Sequence, residues 1–352
     1  MTLLSFQKVG IKGLAACVPK NVIRNYDLAK GIGIDDISES IKATGILERR
    51  FADNNTCASD LCYEAAEVLL SDMKIKRDSI DMVIFASHTP DYREPSTSTI
   101  LQARLGLSKS TAAFDISVAC SGYVYGLSTA FSYAAHKELD RVLLLVGDTL
   151  SKTISLKDKA TNLLFGDAGT ATLIEKNPDC KESFFSLNSD GSGFSTLIIP
   201  GGGFRTPSSH ETIKEKKYED GSIRTDEQLR MDGVDVFNFA MREIPSDIKK
   251  IAEYSKIPLE NVDFIIFHQA NKFMTDFFAK KLKYPKEKVP YSIQRFGNTS
   301  SASIPLTLVS ELKEILVTQK SRTILSGFGS GLSWGTASFE LGNCHVSHLL
   351  EL

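Results

Sequence analysis

A cysteine, a histidine and an asparagine, Cys120, His268 and Asn298, stand in three separate turns built of small residues, 148 and 30 positions apart. Residues 112–123 read AAFDISVACSGY: an extended run, a tight turn, then a helical pattern continuing through Tyr125, Leu127 and Ala130. That places Cys120 at a helix N-terminus, where unpaired N–H groups and the positive dipole end favour a thiolate. A strand-to-helix turn also thrusts a nucleophile out of a sheet. Free cysteine is among the most buried residue types, however, and on position alone simple packing is the commoner role. A thiolate nucleophile needs a partner that handles protons or polarises a carbonyl. His268-Gln269-Ala270-Asn271 follows the apolar run at 264–267, the carboxyl end of a buried strand, where ligands of α/β sheets collect. GNTSSAS at 297–303 is a third turn leading into a helix. Each motif alone is weak, since a strand-end histidine is often a hydrogen-bonded core residue. The three in this order are specific.

The elements that must hold these turns alternate. Apolar runs at 82–85, 142–146 and 264–267 read as buried strands. Between such runs lie helical patterns, as at 59–73, where Leu61, Ala65 and Leu69 share a face. The alternation predicts an α/β fold with buried sheets. KIKRDSIDMVIF at 74–85 recurs as KIPLENVDFIIF at 256–267, and GTATL at 169–173 as GTASF at 335–339. Order and near-constant offset argue a duplicated fold with a boundary near residue 180, giving halves 1–180 and 181–352. Residues 201–230 open on three glycines and crowd charges, and read as a solvated surface excursion rather than a flap.

The chain's 352 residues carry 41 Lys+Arg against 43 Asp+Glu, a net charge of −2, which excludes the basic excess of a general nucleic-acid binder. No apolar stretch approaches the roughly 20 residues of a membrane-spanning helix. The cysteines are too sparse for a disulfide scaffold and lack paired zinc spacing, which fits a reduced, cytoplasmic protein. Leu14-Ala15-Ala16-Cys17 imitates a lipoprotein cleavage site, but Gln7, Lys8 and Lys12 interrupt the apolar region that must precede one. Cys344, His345 and His348 form C-H-x-x-H in a segment expected to fray, a poor metal site. Asp167, in the GDAG turn, reads as structural.

Together these motifs resemble the β-ketoacyl-acyl-carrier-protein synthase III family of the thiolase superfamily, almost end to end. TGILERR at 44–50, TPDY at 89–92, PST at 95–97, the Cys120 segment, FGDAG at 165–169, HQAN at 268–271, GNTSS at 297–301 and FGSGLSWG at 328–335 follow in family order. The resemblance implies a thiolase-like α/β fold, two duplicated halves forming a layered α-β-α-β-α core. It implies that Cys120 takes an acyl group from a CoA or carrier-protein thioester. His268 and Asn298 would hold the malonyl thioester carbonyl, and the backbone N–H groups of Cys120 and Ser330 the tetrahedral oxyanion. No cofactor beyond the substrate thioesters is implied. The expected partners are acyl-carrier protein and a second copy of the chain, with no nucleic acid or membrane. In the homodimer the 89–97 loop would close the partner's pocket.

The resemblance also assigns Asn271 and Lys159 to phosphopantetheine or CoA, and Lys272, Lys280 and Lys281 to an acidic carrier protein. The acyl pocket would be lined by Glu94, Leu163, Leu164, Phe165, Met231 and Phe328. Glu39 and Ala43 stand where well-known members carry a Trp and an Arg that touch the CoA nucleotide. Glu94 stands where a Phe is common, and a carboxylate against an alkyl chain is costly, which predicts a short or polar acyl group. Elongating relatives carry a second histidine where Asn298 stands. Acyl transfer to a hydroxyl or amine without condensation is the alternative. A non-catalytic scaffold fits the intact triad poorly, and papain-like hydrolysis fits these motifs less well.

Overall fold

Strands that are apolar at every position must be covered on both faces. Arg141–Thr149 is the clearest case, with every residue after the first buried. Val142, Leu144 and Val146 enter one core and Leu143 and Leu145 another, the two-residue period of an extended chain. In this computed structural model, which describes residues 2–31 and 36–352, that strand lies inside the first of two large sheets. The order is His345–Val346, Val9–Val18, Asp167–Lys176, Arg141–Thr149, Met82–Ala86 and Ala112–Ile116. The second sheet runs Thr2–Phe6, Ser183–Ser189, Ser333–Gly342, Lys320–Gly329 and Phe264–Phe267.

Two helices lie between the sheets. Gly122–Ala134 and Ser303–Glu311 bury Val124, Leu127, Ile304 and Leu308 in one core with Leu144 and Leu325. Ala58–Asp72 covers the outer face of the first sheet, and Gly233–Ser255 and Lys272–Leu282 that of the second. The layering is helix, sheet, helix, sheet, helix, the expected thiolase-like architecture.

The sequence echoes are structural equivalents. Met82–Ala86 runs parallel to Arg141–Thr149, which pairs antiparallel with Asp167–Lys176. Phe264–Phe267 likewise runs parallel to Lys320–Gly329, which pairs antiparallel with Ser333–Gly342. The chain ends trade places, however. Thr2–Phe6 pairs with Ser183–Ser189 in the second sheet, while the C-terminal strands pair with Val9–Val18 in the first. A single cut at 180 therefore does not separate the sheets.

The C-terminal segment expected to fray is held by those pairings. Cys344 Sγ faces the Leu316 carbonyl at 3.8 Å, whereas His345 Nε2 lies 3.2 Å from Asp72 Oδ2. The two side chains serve different neighbours, and no cluster of three potential metal ligands occurs among the described residues. The charged 201–230 segment is anchored rather than merely solvated. It carries a small hairpin, Lys216–Lys217 with Ile223–Arg224, whose Arg224 Nη1 meets the buried Asp158 at 3.1 Å. Its Leu229 packs in an apolar cluster with Leu150, Ile154, Phe165 and Leu197. Among the described residues no helix is long and apolar enough to cross a membrane.

Candidate active site

Ala112–Ile116 ends in a short turn, and Cys120 sits two residues before the first residue of the central helix Gly122–Ala134. Strand Lys320–Gly329 passes directly beside this turn, which is possible only because it ends in glycines. A Cβ on Gly329 would fall 2.7 Å from Cys120 Cβ and 2.9 Å from its Sγ. One on Gly327 would fall 3.0 Å from Ser121 Cα. Ser121 Oγ and Ser333 Oγ are 2.7 Å apart, and Ser333 Oγ donates to the Ser330 carbonyl at 2.8 Å, which fixes the 330 turn over the cysteine. Cys120 is 4% exposed. Burial pushes its thiol up to about 12, against the opposing pull of the Ser300 hydroxyl and of the Cys120 and Ser330 N–H groups. The helix terminus predicted a thiolate; burial wins, and the resting side chain is a thiol.

His268 follows Phe264–Phe267 and its own N–H donates to the Ser326 carbonyl at 2.8 Å. Its ring meets Phe328 edge-on, with centroids 5.3 Å apart. Burial holds its pKa down at about 3, although the Ser300 backbone, accepting from the ring, opposes this, so the imidazole is neutral at physiological pH. Nδ1 lies 2.8 Å from Ser303 Oγ, and that oxygen also accepts from the Gln269 N–H at 3.3 Å. The Ser300 backbone accepts from the ring, so the ring proton belongs on Nε2 and the Ser303 hydroxyl donates to Nδ1.

Asn298 is oriented the same way. Its Oδ1 accepts from the Ser300 N–H at 2.9 Å, which leaves its NH2 as a donor. Its backbone bridges to the segment around Phe165: Asn298 N donates to the Leu164 carbonyl and Gly166 N to the Asn298 carbonyl. Gly166 and Gly297 permit that approach, since a Cβ would fall 2.2 Å from the Phe296 carbonyl oxygen or 2.7 Å from that of Leu164. Behind this bridge the wholly buried Arg49, from the TGILERR motif, donates to Asn25 Oδ1 at 2.8 Å and to the Phe165 carbonyl at 3.0 Å.

Two cavities meet at Cys120. One, about 120 Å³, brings Cys120, His268 and Asn298 together with Asn271, Phe328 and Gly329. The other, about 260 Å³, extends from Cys120 between Leu150, Phe165, Phe194 and Leu229, with the Ser330 turn at its edge. The first holds the polar donors; the second is mostly apolar. Cys120 lies at their junction.

The remaining expected positions divide. Asn271 lines the polar cavity, its Oδ1 capping helix Lys272–Leu282 through Met274 N at 2.8 Å, with its NH2 left as a donor. Phe165 lines both cavities, while Leu164, Met231 and Phe328 line only the smaller one. Leu163 lines neither: it packs with Ala29 and Ile37 on the far side of its segment. Glu94 does not line either cavity of its own chain. It lies in a separate cavity of about 380 Å³ with Tyr92, Arg93, Pro95 and Asp115, on the loop expected to meet a second copy of the chain. Lys159 is exposed on the loop facing Gly221 and lines neither cavity. Lys272 is held by Asp276 at 2.7 Å and Lys281 by the Met241 carbonyl at 2.8 Å, leaving Lys280 exposed.

Four further residues complete the site, two of them, Ser300 and Ser303, inside the 297–303 turn itself. Asp148, fully buried at the end of Arg141–Thr149, accepts from Ser87 Oγ, His88 N and Ser301 Oγ, at 3.1, 2.7 and 2.5 Å. It thereby joins turns from both halves of the chain. Ser300 adopts a φ of 52°, a left-handed conformation costly for serine, and puts its Oγ 3.7 Å from Cys120 Sγ. Ser303 sets the His268 ring, and His88 lines the larger cavity. Asp167 is structural as expected: its carboxylate accepts from Ala52 N at 2.8 Å and Ser151 N at 2.9 Å.

Comparison with known proteins gives a consistent result. The model of 3-oxoacyl-[acyl-carrier-protein] synthase III matches residues 114–191, and that of its C-terminal part residues 252–341. A putative 3-oxoacyl-[acyl-carrier-protein] synthase 3 of Campylobacter jejuni is 38% identical over 98% of this chain and 97% of its own. A β-ketoacyl-[acyl-carrier-protein] synthase III of Fusobacterium nucleatum is 35% identical over 94% of this chain and 98% of its own. The crystal structure of a 3-oxoacyl-(acyl-carrier protein) synthase from Burkholderia xenovorans superposes with a TM-score of 0.93 at 38% identity, covering 100% of this chain and 99% of the other.

Proposed function

The chain belongs to the 3-oxoacyl-[acyl-carrier-protein] synthase III family, and on that premise we propose how its residues divide the work. The enzyme is an acyltransferase that condenses an acyl thioester with malonyl-carrier protein, releasing carbon dioxide and a 3-oxoacyl product. Acyl transfer without condensation is not favoured.

Cys120 Sγ attacks the thioester carbonyl of the acyl donor. The resting group is a thiol held near 12, so its proton is passed through solvent to the sulfur of the departing donor. The carbonyl oxygen becomes an oxyanion between the N–H groups of Cys120 and Ser330, the two amides that already face Sγ. Collapse expels the donor thiol and leaves acyl-Cys120, its chain in the apolar cavity. Malonyl thioester then enters the smaller cavity. His268 Nε2–H and the Asn298 NH2 donate to its thioester carbonyl as the C–CO2 bond breaks, holding the enolate charge. The enolate carbon attacks acyl-Cys120, the same two amides hold the second oxyanion, and the thiolate leaves. Asn271 supports the phosphopantetheine arm.

The observation that carries this reading is that Cys120, His268 and Asn298 line one cavity while Asn298 Oδ1 and His268 Nδ1 are both occupied elsewhere. The Asn298 NH2 and the His268 Nε2–H, the latter also within reach of the Ser300 backbone carbonyl, are the donors left to the cavity. Both are neutral, which suits a charge that develops only during decarboxylation. The test is carbon dioxide release from malonyl-carrier protein that depends on a prior acyl thioester.

The larger assembly is part of the same reading: a homodimer acting in the cytoplasm on substrates delivered by an acyl-carrier protein. The edge strand Ala112–Ile116 is only partly covered, and Tyr92 of the 89–97 loop is 63% exposed, which supports burial against a second copy. Among the described residues, Lys280 and Lys281 have no carboxylate partner on the helix expected to meet the acidic carrier.

A further inference from the structure

The larger cavity is apolar except at a few points, and most of those are already satisfied. Thr89 Oγ1 accepts from Thr149 N at 2.9 Å, and Thr153 Oγ1 donates to the Leu150 carbonyl at 2.9 Å. Ser300 Oγ is turned toward Cys120. His88 differs. Its backbone N–H is fixed by Asp148 at 2.7 Å, but its imidazole nitrogens have no hydrogen-bond partner among the described residues. The side chain is exposed and opens on the cavity, although protein atoms crowd around it. That desolvation holds its pKa below the ordinary histidine value, against the nearby Asp148 carboxylate, so the ring is neutral. A neutral imidazole offers one donor and one acceptor. An alkyl chain lying against it displaces water and leaves both unpaired, whereas a hydroxyl satisfies either.

We propose that His88 is a specificity-determining residue that hydrogen-bonds a polar substituent on the acyl chain, so that the preferred acyl donors are short hydroxyacyl thioesters. The inference rests on the proposed role of Cys120. The size of the cavity agrees with it: about 260 Å³ falls just below the roughly 300 Å³ at which pockets for drug-sized ligands begin. Within one chain Glu94 lies in another cavity, and His88 is, besides Cys120, the titratable side chain that lines this one.

The experiment measures acylation of the full-length enzyme by intact mass. Butyryl-CoA is compared with 2-, 3- and 4-hydroxybutyryl-CoA for wild type, His88→Leu and His88→Gln, with circular dichroism confirming the fold of each. Wild type should acylate about 10-fold faster with at least one hydroxy isomer than with butyryl-CoA. His88→Leu should lose that preference by acylating faster with butyryl-CoA, and His88→Gln, which keeps a donor and an acceptor, should retain part of it. Equal or faster acylation by butyryl-CoA in wild type overturns the proposal, as does a hydroxyl preference that survives His88→Leu. Failure of the underlying reading looks different: no thioester, butyryl-CoA included, would then modify Cys120, and both would fall.

Discussion

Ser303 Oγ lies 2.8 Å from His268 Nδ1 and accepts the Gln269 N–H, which makes a serine two residues beyond the GNTSS motif the group that orients the histidine. It does not touch substrate; it decides which ring nitrogen carries the proton. Ser303→Ala should leave acylation of Cys120 within about twofold of wild type but slow carbon dioxide release about 10- to 100-fold, by analogy with the loss of orienting partners at other histidines. Ser303→Thr, which keeps the hydroxyl, should recover most of that loss. Parallel measurements of intact mass and released carbon dioxide check it, and equal losses in both half-reactions would mean a merely structural role.

His268→Ala and Asn298→Ala should separate the two half-reactions more strongly. Each removes one donor to the malonyl carbonyl, a loss of about 100- to 1000-fold. Acyl-Cys120 should still form in both variants. Unchanged decarboxylation in either would remove that residue from the proposed role.

Gly329→Ala probes the close approach of strand and nucleophile. A methyl group 2.9 Å from Sγ must displace the cysteine or the strand. The expected cost is about 1–3 kcal/mol of stability, read by thermal melting, together with loss of acylation. Normal acylation by this variant would show that the turn tolerates movement.

The pKa shifts give the two half-reactions opposite pH profiles. With the Cys120 thiol near 12, the thiolate fraction rises with pH, so single-turnover acylation should accelerate by up to tenfold per unit between about pH 6 and 9. His268, near 3, is neutral throughout that range, so carbon dioxide release from preloaded enzyme should stay nearly flat. Stability follows the same logic with the sign reversed for acid. As pH falls from about 6.5 toward 3, the unfolded chain binds a proton at His268 that the folded chain refuses, and stability drops. Asp167, raised to about 6 by burial, works against this, because its folded form takes up a proton before the unfolded one does. Stopped-flow acylation and carbon dioxide release at matched pH values test the first contrast.

The catalytic turns were legible because each combines a strand end, small residues and a chemically distinct side chain, and the duplication was legible because two short segments recur in order. The cavity walls were not. Phe194 and Leu229 come from loops and Leu197 from a two-residue strand, all too short for periodicity, so nothing in their spacing separates pocket from surface. Leu163 and Leu164 are neighbours of like chemistry, and only the backbone bridge at Phe165 and Asn298 decides which one faces the site. Asp148, Ser300 and Ser303 act through hydrogen bonds between residues far apart in the chain, which local pattern cannot reveal. The exchange of terminal strands between sheets was hidden for the same reason.

The most direct measurement follows one acyl group through a single turnover. Wild-type enzyme is loaded with an acyl thioester, digested and mapped, then a second portion is mixed with malonyl-carrier protein. The adduct should sit on the Cys120 peptide alone, and should disappear with one carbon dioxide released and one 3-oxoacyl product formed per adduct. An adduct on Cys17, Cys57, Cys62, Cys180 or Cys344, or an acyl-Cys120 that persists while carbon dioxide is released, would contradict condensation through Cys120.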